Sequence, residues 1–436
     1  MYWIPTVAVA GANIVGYATG YDFLYTNGCP IRYVALPFPV AGQPLSVLKQ
    51  YINGKDAVSG KQFMRAVVDA LTMPLTDREK IKGPAPEAVS EPRLLPPDTE
   101  ERLQRLFKDK GWTDYFPVVL PTEEKVAGML QGTRHKSEVV VKIINWPGGA
   151  RPLTVEKAAV CAVMAGAKRE YFPIILALAT TVPFGNSTTS MANMIVVNGP
   201  VRRELGMNSG GNALGPYNEA NAVIGRTLTL MSKTAGGLRN RETTWSSLGS
   251  NLQYNNLCFA ENEEELPEGW DPLHVQMGFK PTDNVVTVGT GWSMISSVGS
   301  VQHQYPAPML MRDYMSSLSA LGSSATILMD PTVAGLLKNA HGFQTKNSLA
   351  QWLSQNVGKT ASSYWGNAVV ASISEALALQ ELEPYKAWKQ LPGDAVIRPF
   401  NNPRGIQIVV VGGKSQSTWY ATDFRMGRGV LIDDWK

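Results

Sequence analysis

The chain has 436 residues, 44% of them hydrophobic and 17% charged, with a formal net charge of +4. That length exceeds what one hydrophobic core fills, so two or three domains are expected, and the composition excludes a disordered chain. So small a charge, evenly spread, argues against nucleic acid as a partner, and no apolar run reaches membrane-spanning length. The first ten residues carry no basic stretch, so no signal peptide is expected. Cys29, Cys161 and Cys258 form no Cys-x-x-Cys pair, which argues against a disulfide framework or a zinc knuckle and fits a reducing cytoplasm.

In chain order, residues 4–10 read as a buried strand, which needs neighbours on both sides, and 33–36 as a second. Helical spacing covers 45–52 and 60–72, the latter with Phe63, Val67, Val68 and Leu71 on one face. Five prolines in 81–98 mark a linker, and a helix over 98–110 follows, with Asp98 as cap and Glu101 completing a capping box. Next come a short helix opening at Thr122, a strand over 139–144, a helix over 155–165 capped by Thr154, and an apolar helix over 171–179. Strands are expected at 194–197, 285–288, 326–329 and 406–411, and helices at 345–355 and 367–379. The pattern predicts an α/β protein: a small N-terminal α/β fragment over 1–80, the linker over 81–98, and a larger α/β domain with a mixed sheet over 99–436.

The stretch 198–231 follows the strand at 194–197, holds glycines at 199, 206, 210, 211, 215 and 225, and ends in a helix. Glycines let backbone N–H groups approach a ligand, and a helix N-terminus attracts anions. Neither a dinucleotide fingerprint nor a P-loop is present. The candidate substrate-binding residues are Asn198, Asn208, Ser209 and Asn221, whose polar density exceeds what a turn requires, with Arg202 and Arg226 able to fork onto a carboxylate or phosphate.

Four histidines occur, none spaced i, i+4 from another, so a metal site would have to assemble in space from Glu261 or Glu263 with His274 and His303. Cys258 precedes the run Glu261, Asn262, Glu263, Glu264, whose charge disfavours a thiolate, while Cys29 lies in a turn between Gly28 and Pro30. Either cysteine is a candidate for the reactive one. Glu261, Glu263, His274 and Cys258 are the catalytic candidates.

Two stretches resemble a known family. Residues 4–80, with Ile-Pro-Thr-Val-Ala-Val, Pro-Phe-Pro-Val-Ala-Gly-Gln-Pro and Tyr-Ile-Asn-Gly-Lys-Asp, resemble the C-terminal half of the UGSC family of thiol or selenol proteins. Residues 117–300, with Val-Asn-Gly-Pro at 197–200, Gly-Met-Asn-Ser-Gly at 206–210, Cys-Phe-Ala-Glu-Asn-Glu at 258–263 and Pro-Leu-His-Val at 272–275, resemble the larger domain fused to it or encoded beside it. The family's Cys-Gly-Ser-Cys motif occurs nowhere in the chain.

The resemblance implies the large subunit of a hetero-oligomeric, thiol-dependent enzyme. It would be a lyase or transferase at a carbon–sulfur or carbon–heteroatom bond of a small polar substrate. A small UGSC-like subunit would carry the reactive cysteine and pair with the strand at 4–10. The alternatives are a hydrolase or hydratase in which Glu261, Glu263 and His274 hold a divalent metal, and a non-catalytic scaffold subunit.

Overall fold

A computed structural model describes residues 7–12, 15, 31–40, 43–77, 93–146, 149–181, 191–238, 248–299 and 304–436. Of these described residues 41% are helical and 18% are in strands, in mixed parallel and antiparallel sheets, which makes the protein α/β. Cys29, His303, residues 4–6 of the first expected strand and most of the expected linker lie outside the described residues.

The N-terminal unit is small. Strand β1 (Val7–Gly11) pairs in parallel with β2 (Arg32–Leu36), followed by helices α1 (Leu45–Asn53) and α2 (Phe63–Thr72). Its buried core is Val34, Phe63 and Ala66. Two ties fix it. Asp56 accepts from Ala35 N at 2.7 Å and Val58 N at 3.0 Å, and Arg32 donates to the carbonyls of Ala70, Met73 and Pro74, closing the end of α2. Helix α1 buries no residue, and Val9, Leu45, Met64, Val68 and Leu71 remain exposed.

The rest of the described chain forms two mixed sheets. Helix α3 (Glu100–Asp109) is capped by Thr99, whose hydroxyl accepts from Arg102 N, while Asp98 accepts from Thr99 N. The cap therefore lies one residue beyond the expected Asp98. Helix α4 (Glu123–Leu130) begins at the Thr122 cap. Strands β3 (Val140–Trp146) and β4 (Gly149–Thr154) form a hairpin that delivers the chain to α5 (Val155–Ala165), capped by Thr154 as expected and ended by the left-handed Gly166. Helix α6 (Phe172–Thr181) follows.

The first sheet holds β5 (Ala192–Asn198), parallel to β6 (Leu257–Ala260) and antiparallel to β7 (Val285–Gly291), with β14 (Arg425–Met426) and β15 (Val430–Leu431) on the far side of β7. Helix α7 (Glu219–Thr234) crosses from β5 to β6. Strand β8 (Met294–Ser297) enters the second sheet, and α8 (Ala307–Ser317), β9 (Ala325–Met329), α9 (Pro331–Asn339) and α10 (Lys346–Asn356) come next. Helix α11 (Ala368–Leu379) lies between the strands of a small antiparallel pair, β10 (Lys359–Thr360) and β11 (Val396–Ile397). Strand β12 (Ile406–Val410) runs parallel to β9, and β13 (Trp419–Thr422) lies antiparallel between β9 and β8.

The period-two alternation of strand side chains sorts these elements into four layers. Ile195 and Val197 of β5, with Cys258 and Ala260 of β6, face a core shared with α5, α6 and α7. Their neighbours Met194, Val196, Leu257 and Phe259 face the other way and meet Leu328, Val409, Val411 and Phe424 from the second sheet. Beyond that sheet, Ile327, Met329, Ile408 and Val410 pack on α8, α9 and α10. Each sheet is thus covered by helices outside and by the other sheet inside, which is how a strand as uniformly apolar as Met194–Val197 is accommodated.

Candidate functional site at the seam of the two sheets

The four strands that run in parallel pairs within the two larger sheets end together. Asn198 closes β5, Glu261 follows β6, Asp330 follows β9, and Gly412 lies just past β12. Asn262 stitches them, its N–H donating to Val410 O at 2.8 Å and its side-chain amide to Gly412 O at 2.9 Å; Val411 N donates to Met329 O at 2.9 Å. The carboxyl ends of parallel strands are where α/β proteins build ligand sites, since loops leaving them diverge around a crevice. The glycine-rich stretch belongs to the same seam: Gly412 N donates to Ser209 O at 2.8 Å, and a Cβ on Gly413 would lie 3.1 Å from Gly211 N.

At the centre stands Glu261, fully buried. Its Oε1 accepts from Lys346 Nζ at 2.5 Å, and its Oε2 accepts from Asn198 Nδ2 and from Leu273 N, each at 2.7 Å. Asn198 Nδ2 also donates to Glu263 Oε1 at 2.9 Å, and Gly199 N donates to the same oxygen at 2.8 Å. An amide flanked by two carboxylates must turn its NH2 toward them, so Asn198 Oδ1 faces away and has no partner among the described residues. The Gly199 backbone that makes this approach has φ +89°, and a Cβ there would come within 2.2 Å of Asp283 O. Glycine is required at that position on both counts.

Arg202 is buried alongside. Its Nε donates to Gly199 O at 2.9 Å, one terminal nitrogen to Glu261 O at 2.8 Å, and the guanidinium pairs with Glu263 at 3.0 Å and Glu264 at 3.1 Å. That hydrogen bond from Arg202 holds the Glu264 carboxyl below the usual carboxylate range. Arg202 is thus committed to this chain's own acids. His274 is fully buried, with Nδ1 3.9 Å from Glu263 Oε1 and, among the described residues, no hydrogen-bond partner on either ring nitrogen. Buried polar groups are ordinarily paired, which makes the two ring nitrogens of His274 and Asn198 Oδ1 the open valences of the cluster among the described residues. Glu263, at 14% side-chain exposure, and Glu264, at 46%, face outward, so the cluster is approached from that side.

Five of the sequence candidates, Asn198, Arg202, Glu261, Glu263 and His274, therefore come together. Lys346 was missed by the sequence reading. A cation in the first turn of α10 opposes the helix dipole and is out of place unless an acid meets it, which was the one available signal.

The other candidates stand differently. Asn208 and Asn221 bind each other, Asn221 Oδ1 accepting from Asn208 N at 3.0 Å and Asn221 Nδ2 donating to Asn208 O at 2.9 Å, while Asn208 Nδ2 reaches Asn218 Oδ1 at 2.8 Å. The amide density of this loop thus serves its own backbone, and Ser209 meets the seam through its carbonyl. Arg226 forks onto Asp114 at 2.8 and 3.0 Å, away from the seam. Cys258 packs in the core of the first sheet, and burial pushes its thiol well above the ordinary range; Cys161, buried in α5 with Sγ 3.1 Å from Thr234 Oγ1, is pushed up by burial to about 11.

Among the described residues no group of three or more His, Cys, Asp or Glu could hold a metal ion. Glu261 and Glu263 direct their oxygens at Lys346, Arg202, Asn198 and backbone N–H groups. No helix among the described residues is long and apolar enough to cross a membrane. Compared with protein-family models, with curated proteins and with solved structures, the chain matches nothing in any of the three.

Proposed function

We propose that this chain is the large subunit of a hetero-oligomeric, thiol-dependent enzyme, a lyase or transferase acting at a carbon–sulfur or carbon–heteroatom bond of a small polar substrate. The reactive cysteine sits on a small partner that carries Cys-Gly-Ser-Cys. The resemblance of residues 4–80 and 117–300 to the UGSC family motivates the reading. The observation that carries it is β1: a strand of sequence Val-Ala-Val-Ala-Gly, with Val9 half exposed, which among the described residues pairs only with β2, in parallel. Parallel sheets need strands on both sides and cover on both faces, and a two-stranded sheet is marginal by itself. An apolar edge strand without a charge to guard it calls for a neighbour.

The buried state of Cys161 and Cys258 also supports a thiolate from outside the two cores. In this reading the seam holds the substrate: Asn198 positions Glu263 through its side-chain amide, and His274, beside Glu263, exchanges a proton with the departing heteroatom. Lys346 and Arg202 hold Glu261 and Glu263 in place.

Expressing the chain alone and together with the partner tests this. The expected result is a stable complex whose activity needs both chains, and whose activity drops when Asn198→Ala is introduced without loss of assembly. A lone chain that is a soluble, fully active monomer would sink the proposal.

A further inference from the structure

Away from the seam, a cleft of about 550 Å³ opens between α4, the turn that ends α5 and the start of α6. That is the size of a small-molecule site. Its walls are firm: Val119 N donates to Met164 O at 3.2 Å, and Gly166 ends α5 in the left-handed conformation with its N–H on the carbonyls of Ala162 and Val163. Lys125, Gly128 and Met129 share one face of α4, as the i, i+3, i+4 spacing requires, and all three line the cleft.

Gly128 is the informative residue. A glycine inside a helix costs about 1 kcal/mol relative to alanine. Packing usually explains such a glycine, yet a Cβ at 128 would meet no atom within 4 Å. The fold does not need glycine there. Gly128 lines the cleft together with Val119, Met129 and Val163. At the rim, Lys168 is paired with Glu219 and Arg169 lies near Glu170, but among the described residues no carboxylate meets the ammonium of Lys125. An uncommitted cation over an apolar floor suits a ligand that is apolar at one end and anionic at the other.

We propose that this cleft binds a small carboxylate with an apolar body, the carboxylate on Lys125 and the body on the apolar floor beside Gly128. The proposal is independent of the partner subunit and of the seam. Hexanoate is the probe, titrated calorimetrically into the full chain, with hexan-1-ol as the uncharged control and Lys125→Glu and Gly128→Leu as variants.

The expected result is saturable binding of hexanoate, weakened several-fold by removing the ligand's charge or by reversing that of Lys125, the size of a charge pair at an exposed site. Gly128→Leu is expected to abolish binding while leaving the melting temperature unchanged or raised. The proposal is overturned if hexanol binds as tightly as hexanoate, if either variant binds as the parent does, or if the parent shows no saturable binding. An acidic peptide that binds while hexanoate does not would equally overturn it, in favour of a protein-docking groove.

Discussion

Lys346 Nζ stands 2.5 Å from Glu261 Oε1, with both side chains at 1% exposure or less. The pair ties the first turn of α10, on the outer layer of the second sheet, to the loop that leaves β6 in the first. Removing one partner of a buried pair leaves a charge without compensation and costs about 3–5 kcal/mol. Lys346→Met is therefore expected to lower stability by that amount in chemical denaturation. The double variant Lys346→Met with Glu261→Gln is expected to recover a good part of it, because the uncompensated charge is gone.

Gly199→Ala probes the backbone that carries the site. Two costs combine: a left-handed φ and a Cβ 2.2 Å from Asp283 O. Strain of the first kind alone is worth about 1–3 kcal/mol. The variant is expected to lose more than Gly128→Ala, which meets open space and should stabilise the chain by about 1 kcal/mol. Thermal melts of the two proteins, side by side, check the ordering.

The thiols give a chemical prediction. With Cys161 pushed up to about 11 and Cys258 higher still, by burial in both cases, neither is a thiolate at pH 8. Mass spectrometry after iodoacetamide treatment of the native protein should find both unmodified, and both alkylated once the chain is unfolded. Rapid labelling of Cys258 in the native state would give it a role that its packing denies.

Acid should loosen the N-terminal unit first. Burial pushes the Asp56 carboxyl up, but hydrogen bonds from Ser59, Ala35 and Val58 outweigh it and hold the group below its usual range. Its folded value thus lies below its unfolded value of about 3.9. The stability it gives is complete above that value and is lost as pH falls through the folded one. The protection of amides in β2 and α2, measured against the intrinsic exchange rate at each pH, is expected to fall with falling pH, and Asp56→Asn should show the acid-state protection already at neutral pH.

Many of the helices and the longer strands were legible in the sequence because local rules and tertiary structure agree there. The Thr122 and Thr154 caps announce their helices, and the apolar run at 194–197 announces a strand covered on both faces. What was not legible depended on distant partners. Strands β8, β13, β14 and β15 are two to four residues long and exist through pairing alone. The same limit governs the site. Glu261, Glu263 and His274 were visible as an unusual local run, whereas Lys346 lies 85 positions from Glu261 and needs the second sheet to reach it. Arg226 has the opposite history: its fork suits an anionic ligand, but Asp114, 112 positions away, takes it. One sheet was expected beyond residue 99; the alternation of buried residues in β9 and β12 resolves it into two.

The central claim is that a partner chain completes the sheet at β1. Hydrogen–deuterium exchange over Val7–Gly11 tests it most directly, comparing the complex purified from its native source with the chain expressed alone. Strong protection of these amides in the complex, lost in the lone chain while β5 and β9 stay protected in both, is the expected result. Equal exchange of Val7–Gly11 in the two preparations would contradict it.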